Sequence, residues 1–208
     1  VCPRQYLVIA HPPRMSSRKT SKQLVLFASG SGSNVENISE YFKDDPRVMV
    51  SGVLCNNPKA GVVERCRRLN LPLFCFNRPA FAEPKGLMGL IRSLEPDLIV
   101  LAGFLWKIPE PLVQEYPNRI INIHPALLPK FGGKGMYGMH VHRAVLEKGE
   151  TESGITIHFV NEAYDEGAII LQKKIGIPPG SSPEDLAGKI HELEYEHYPL
   201  AIASLLFP

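Results

Sequence analysis

Leu24-Val25-Leu26-Phe27-Ala28-Ser29-Gly30-Ser31-Gly32-Ser33-Asn34 reads as a strand, a glycine loop and the opening turn of a helix. Five consecutive apolar residues suit a strand covered on both faces. Val35, Ile38 and Phe42 then recur at helical spacing. Glycines let the backbone approach a ligand, and the amides of Gly32, Ser33 and Asn34 stand at the positive end of a helix dipole, so the loop suits an anion, most simply a phosphomonoester. The spacing is neither GxGxxG nor GxxxxGK followed by Ser or Thr, so neither a dinucleotide nor a nucleoside triphosphate is supported. A plainer reading also stands, in which the glycines only make a tight turn capped by Ser33 or Asn34.

Outward from this unit the same grammar repeats. Strands are expected over Leu24–Ala28, Met49–Leu54, Leu73–Phe76 and Asp97–Leu101, with helices from about Asn34, over Val62–Leu69 and over Leu87–Leu94. Strands alternating with helices predict an α/β fold with a Rossmann-like, mainly parallel sheet flanked by helices. Beyond a further strand end at Asn122–His124 the pattern changes to a glycine-rich loop over 131–142, then apolar runs at Ile155–Val160 and Ala168–Ile175, then a helix over Pro183–Leu206. With 208 residues, 44% of them hydrophobic, one large domain is favoured over two small ones. Residues 1–22 read as a lead-in and 23–208 as the domain. Met15 looks like an ordinary translational start, so residues 1–14 are expected to be extraneous, although Tyr6–Ala10 also suits an added edge strand.

The net charge of +2 is spread without a basic stripe, which gives no argument for nucleic acid. No apolar run approaches the roughly 20 residues of a membrane helix and no signal peptide is evident, so a cytoplasmic protein without a membrane partner is expected. Cys2, Cys55, Cys66 and Cys75 lack CxxC spacing and are expected as free thiols.

The chemistry is concentrated in Asn122-Ile123-His124-Pro125-Ala126-Leu127-Leu128-Pro129. Residues two apart on a strand share a face, so a carboxamide and an imidazole project into the same space. An amide donor beside a protonatable ring suits acyl or one-carbon transfer, where charge develops on a carbonyl oxygen while a proton moves. The pair also reads as a strand end hydrogen-bonded to its turn. Asp165, before Gly167, could be a turn former. Placed beside His124 it would favour the imidazolium and raise the pKa of the ring.

Five stretches in order, SGSGSN at 29–34, LAGF at 101–104, NIHPALLPKF at 122–131, ITIHFV at 155–160 and YDEGAIILQ at 164–172, resemble the glycinamide ribonucleotide formyltransferases over about Gln23 to Phe207. The resemblance implies a formyltransferase fold and transfer of a formyl group from 10-formyltetrahydrofolate, the co-substrate, to the amine of glycinamide ribonucleotide in purine synthesis, without a metal. It implies Asn122, His124 and Asp165 as catalytic residues: Asn122 and protonated His124 stabilise an oxyanion, while Asp165 and an ordered water tune His124. It places the phosphate on Gly32, Ser33 and Asn34, and a substrate contact on Glu194, otherwise read as solvated helix surface. His158 matches a family histidine near the site and reads equally as a satisfied strand histidine.

The folate is implied against Phe104, Leu105, Trp106, Lys107 and Ile108, with Asn122 also touching it and Arg78 as partner for its acidic tail. Trp106 and Lys107 depart from the family's usual arginine and aliphatic residue. The 131–142 loop suits a lid or a plain surface loop. His140 and His142 are spaced for a metal but lack a third ligand, so none is assigned. Partners are expected to be small molecules, with the chain a monomer or homodimer. Another folate-dependent formyltransferase, a formyltetrahydrofolate deformylase and a non-catalytic phosphate-binding module are the alternatives.

Overall fold

The structure is a computed structural model that describes residues 8–9, 21–82 and 86–208. The chain divides into two compact units, 1–120 and 121–208. The remainder of the lead-in, Cys2 included, lies outside the described residues.

In the first unit β2 (Lys22–Ala28), β3 (Val48–Cys55), β4 (Leu73–Cys75) and β5 (Leu98–Leu101) lie in the order β4-β3-β2-β5, and the pairs β4-β3, β3-β2 and β2-β5 are all parallel. A short β1 (Val8–Ile9) adds antiparallel to β4, which is the edge-strand reading of the lead-in. Between the strands run α1 (Ser33–Phe42), α2 (Gly61–Arg68), α3 (Arg78–Ala82) and α4 (Leu87–Leu94), with α5 (Glu110–Glu115) after β5. Leu24 to Ala28, Ile99 and Val100 are wholly buried, because strands with helices on both faces leave no side for water.

The second unit is antiparallel. Here β6 (Ile120–His124), β7 (Glu152–Phe159) and β8 (Ile169–Gly176) lie side by side, accompanied by α6 (Met139–Glu147) and α7 (Pro183–Leu206). The 24 residues of α7 start from a capping box in which Ser182 Oγ accepts the Asp185 amide and the Asp185 carboxylate accepts the Ser182 amide, with Pro183 at the first helical position. Ile155, Ile157, Ile190, Tyr198 and Ile202 are among the fully buried side chains that pack the unit's core.

The α/β class and the expected strands stand, with ends displaced by one to three residues. Three helices went unread. α3 and α5 span only 5 and 6 residues, too short for a helical period to show. The third, α6, corrects the loop: residues 139–142 are helical, with Val141 and Val145 buried at a four-residue spacing, and the glycine-rich stretch ends at Gly138. The glycines before it hid a helix whose start has no side-chain cap.

Candidate active site

Four side chains of the second unit converge. β6 presents Asn122 and His124 to one side, and β7 sets His158 directly opposite Asn122 in the antiparallel ladder. Asn122 Nδ2 lies 3.2 Å from His158 Nε2 and 3.5 Å from Asp165 Oδ1. Asp165 Oδ2 lies 3.6 Å from His124 Nδ1, Oδ1 lies 3.6 Å from His158 Nε2, and the Gly133 amide donates to Oδ2 at 2.9 Å. The proximity of Asp165 to His124, on which the sequence is silent, is present.

Two backbone carbonyls decide the tautomers. A carbonyl only accepts, so His124 Nε2 carries the hydrogen it gives to Phe131 O at 2.7 Å, and His158 Nδ1 carries the one it gives to Phe159 O at 2.9 Å. In the neutral rings the bare nitrogens are therefore His124 Nδ1, facing Asp165, and His158 Nε2, which accepts from Asn122. His158 is part of the cluster and only 2% exposed. Its signal in the sequence was its place in ITIHFV, on the strand that pairs with the NIH motif.

Local backbone holds this geometry. Phe131 and Asp165 both take left-handed conformations, φ 57° and 56°, costly for a bulky aromatic and more tolerable for aspartate. The first aims its carbonyl at His124 and the second turns its carboxylate inward. Gly167 lets the Asp165 loop pass against β7, since a Cβ there would overlap Phe159 O. A register shift between Ile157 and His158 marks a bulge against β8, a device that re-aims a side chain beside a site. The Pro125–Pro129 turn is pinned from β7 and β8: Thr156 Oγ1 donates to Ala126 O at 2.7 Å and accepts the Leu128 amide at 3.0 Å, and Gln172 Nε2 donates to Leu128 O at 2.8 Å.

Burial pushes the Asp165 carboxyl up, but the adjoining His158 and His124 rings and the Gly133 amide together outweigh it and hold the group below its ordinary value of 3.8. For His124 the balance is reversed. Its burial lowers the pKa by more than Asp165 and the Phe131 carbonyl raise it, so the ring sits below 6.5 and is neutral at pH 7. This corrects the expectation of a raised pKa and a resting imidazolium: the carboxylate pulls in the expected direction and desolvation is larger.

His142, on α6, is 4% exposed with no hydrogen-bond partner at Nδ1. Burial first, then His191 and His124, draw its pKa down to about 4. The unfolded chain then binds a proton near pH 6.5 that the folded chain refuses, so this contribution is complete above that pH and is lost as pH falls toward 4. Urea unfolding at pH 7 and pH 4.5 is expected to show a loss of roughly 2 kcal/mol from this group. His142→Leu should flatten that part of the difference, and an equally steep variant would contradict the assignment.

The remaining site residues fall in two groups. In the first unit Gly32, with φ 80°, is the N-cap of α1, Ser33 and Asn34 are its first residues, and no side chain caps the helix start. That removes the reading of Ser33 or Asn34 as the cap. Ser29 at the loop's entry donates its amide to Gly103 O at 3.1 Å and accepts the Leu105 amide on its hydroxyl at 3.0 Å, which ties the loop to the LAGF segment. Phe104 and Ile108 are buried, whereas Leu105, Trp106 and Lys107 reach the surface to different degrees. Phe27, Phe76, Phe81, Phe104 and Trp106 form a continuous aromatic cluster, and the Arg78 guanidinium lies 4.2 Å over the Trp106 ring.

In the second unit Glu194 is 6% exposed on α7, not solvated surface, and its charge, after burial, raises the pKa of neighbouring Tyr198. Helical periodicity cannot separate a buried polar face from a solvated one, so the sequence carries no signal for this burial. Among the described residues no group of three or more His, Cys, Asp or Glu side chains is placed to hold a metal, and no helix is long and apolar enough to cross a membrane. Cys55, Cys66 and Cys75 are free thiols.

Comparison with known proteins bears on this arrangement. The family described as Formyl transferase matches residues 22–202. The chain is 40% identical over 200 residues to the chloroplastic phosphoribosylglycinamide formyltransferase of Arabidopsis thaliana, spanning 92% of this chain and 68% of that protein. It is 38% identical to the phosphoribosylglycinamide formyltransferase of Bacillus subtilis, spanning 89% of this chain and 95% of the relative. The solved structure of glycinamide ribonucleotide transformylase 1 from Geobacillus kaustophilus superposes with a TM-score of 0.80 at 34% identity, over 89% of this chain and 99% of that one.

Proposed function

The chain belongs to the formyl transferase family, and from that premise we propose that it transfers a formyl group from 10-formyltetrahydrofolate to the amine of glycinamide ribonucleotide, a step of purine biosynthesis. The observation that carries this reading is the Asn122, His124, Asp165 cluster, which supplies a donor for a developing oxyanion beside a ring nitrogen able to take a proton. Residues 23–208 are read as one formyltransferase domain, since the family match crosses both units.

The bound folate supplies the formyl group in activated form. What the chain supplies is placement and proton handling. The 3.5 Å contact from Asn122 to Asp165 is at the outer limit of a hydrogen bond, so that hydrogen is free to turn to the carbonyl oxygen as charge gathers on it. His124 Nδ1, neutral and facing a carboxylate, takes the proton released by the attacking amine, and the resulting imidazolium is stabilised between Asp165 and the Phe131 carbonyl. It then returns the proton to the leaving folate nitrogen. Asp165 stays ionised throughout, because its pKa is already depressed.

The phosphate is assigned to Gly32, Ser33 and Asn34, and a substrate contact to Glu194. For the folate, Leu105 and Trp106 offer apolar and aromatic surface, and Arg78, with no carboxylate partner among the described residues, offers a cation for the acidic tail. Trp106 keeps a guanidinium at this place by stacking Arg78 on its face. Phe104 and Ile108 support that surface from the core, and Lys107 and Asn122 complete the assigned contacts. The protein is read as cytoplasmic, acting on small molecules as a monomer or homodimer.

Absorbance-monitored consumption of 10-formyl folate tests the reading in three reactions, with glycinamide ribonucleotide, with methionyl-tRNA and with no acceptor. Turnover with the ribonucleotide alone is expected. Turnover without an acceptor would mean a deformylase, and turnover only with tRNA would remove the purine assignment.

A further inference from the structure

The phosphate loop is held by α2 through Gly61, Val62 and Arg65. Gly61, at the start of α2, comes so near the loop that a Cβ on it would lie 3.2 Å from Ser31 O. The Val62 amide donates to Gly30 O at 3.1 Å, and the Val62 side chain occupies the space a Cβ on Gly32 would need, 2.6 Å away. One turn later Arg65 Nε donates to Ser31 O at 2.8 Å, while its Nη1 pairs with Glu36 in the first turn of α1. Glu36 also takes Arg68.

These bonds determine where the loop's donors point. In a planar trans peptide the C=O and the N–H project in opposite directions. Holding Ser31 O toward Arg65 therefore turns the Gly32 amide away from α2, and holding Gly30 O toward Val62 does the same for the Ser31 amide. Glu36 is the second consequence, because a carboxylate in the first turn of α1 opposes an anion bound at that helix start. Arg65 and Arg68 compensate that charge.

We infer that Arg65 is a positioning residue of the phosphate site: it fixes the Ser31–Gly32 peptide so that the Gly32 amide serves the anion, and it neutralises Glu36. This rests on the reading of the loop as a phosphomonoester site. Arg65 can do both because its guanidinium presents two separate donors in a fixed plane, which an ammonium does not.

The test is steady-state formyl transfer by the full chain to glycinamide ribonucleotide and to its dephosphorylated riboside. The wild type is expected to prefer the ribonucleotide. Arg65→Met should raise KM for the ribonucleotide about tenfold, the scale of one charge-assisted hydrogen bond, with kcat within about twofold and the riboside unaffected. Arg65→Lys should resemble Arg65→Met, and it guards against an unfolded variant. Lysine behaving as wild type would mean that charge alone matters, and equal losses toward both acceptors would mean a general structural role; either overturns the inference while leaving the phosphate site. A wild type that treats the two acceptors alike takes the phosphate reading down, and this inference with it.

Discussion

Replacing His124 with alanine is expected to lower kcat for formyl transfer by about a thousandfold while KM for both substrates changes only a few-fold. The bare Nδ1 of His124 borders the Asp165 carboxylate and the ring is neutral at working pH, so the proposed proton path passes through it. Positioned acid–base groups contribute about 10²–10⁴-fold. The effect belongs in kcat because the ring acts on charge present only during reaction. His124→Gln serves as the companion variant, since its amide can still donate to Phe131 O and support the fold but cannot titrate. Activity retained in His124→Gln within tenfold of wild type would remove His124 from the proton path.

The second large effect is at Asp165. Asp165→Asn keeps shape and a hydrogen-bond acceptor for the Gly133 amide but removes the charge that faces both histidines. A fall in kcat on the order of a hundredfold is expected, at the lower end of acid–base contributions because the proton acceptor itself remains. The pH profile adds a sign. In the wild type the acid limb of kcat/KM follows the proton that disables His124, with a midpoint below 6.5 because burial dominates. Asp165 is the upward influence on that ring, so removing its charge moves the midpoint to lower pH. A midpoint that stays in place or rises would show that the limb belongs to another group.

Much of the first unit was legible because its signals are local. Leu24–Ala28 followed by a glycine loop and apolar residues at helical spacing specifies a strand, turn and helix within some twenty residues, and the buried stretches Leu24–Ala28 of β2 and Leu98–Leu101 of β5 are announced by their unbroken apolar runs. The second unit was legible in its motifs and less so in its geometry. The i, i+2 relation placed Asn122 with His124, but the closeness of Asp165, 41 residues after His124 in the chain, depends on β6-β7 pairing and on a left-handed residue that no local pattern dictates. Glu194 shows the same limit from the other side, since burial of a charged residue is decided by what packs against its helix. The direction of the His124 pKa is hidden in the sequence for a related reason. A partner carboxylate can be guessed from sequence, whereas the desolvation that outweighs it requires knowing that the ring is 3% exposed.

The central claim is that this cluster hands a formyl group to an amine and not to water. Transfer from 10-formyltetrahydrofolate carrying ¹³C in the formyl group, followed by carbon NMR of the products with glycinamide ribonucleotide present, tests it directly. The account predicts that the label appears as a formamide on the acceptor amine in wild type and fails to move at a comparable rate in His124→Ala. Label accumulating as free formate, with the acceptor unmodified, would contradict it.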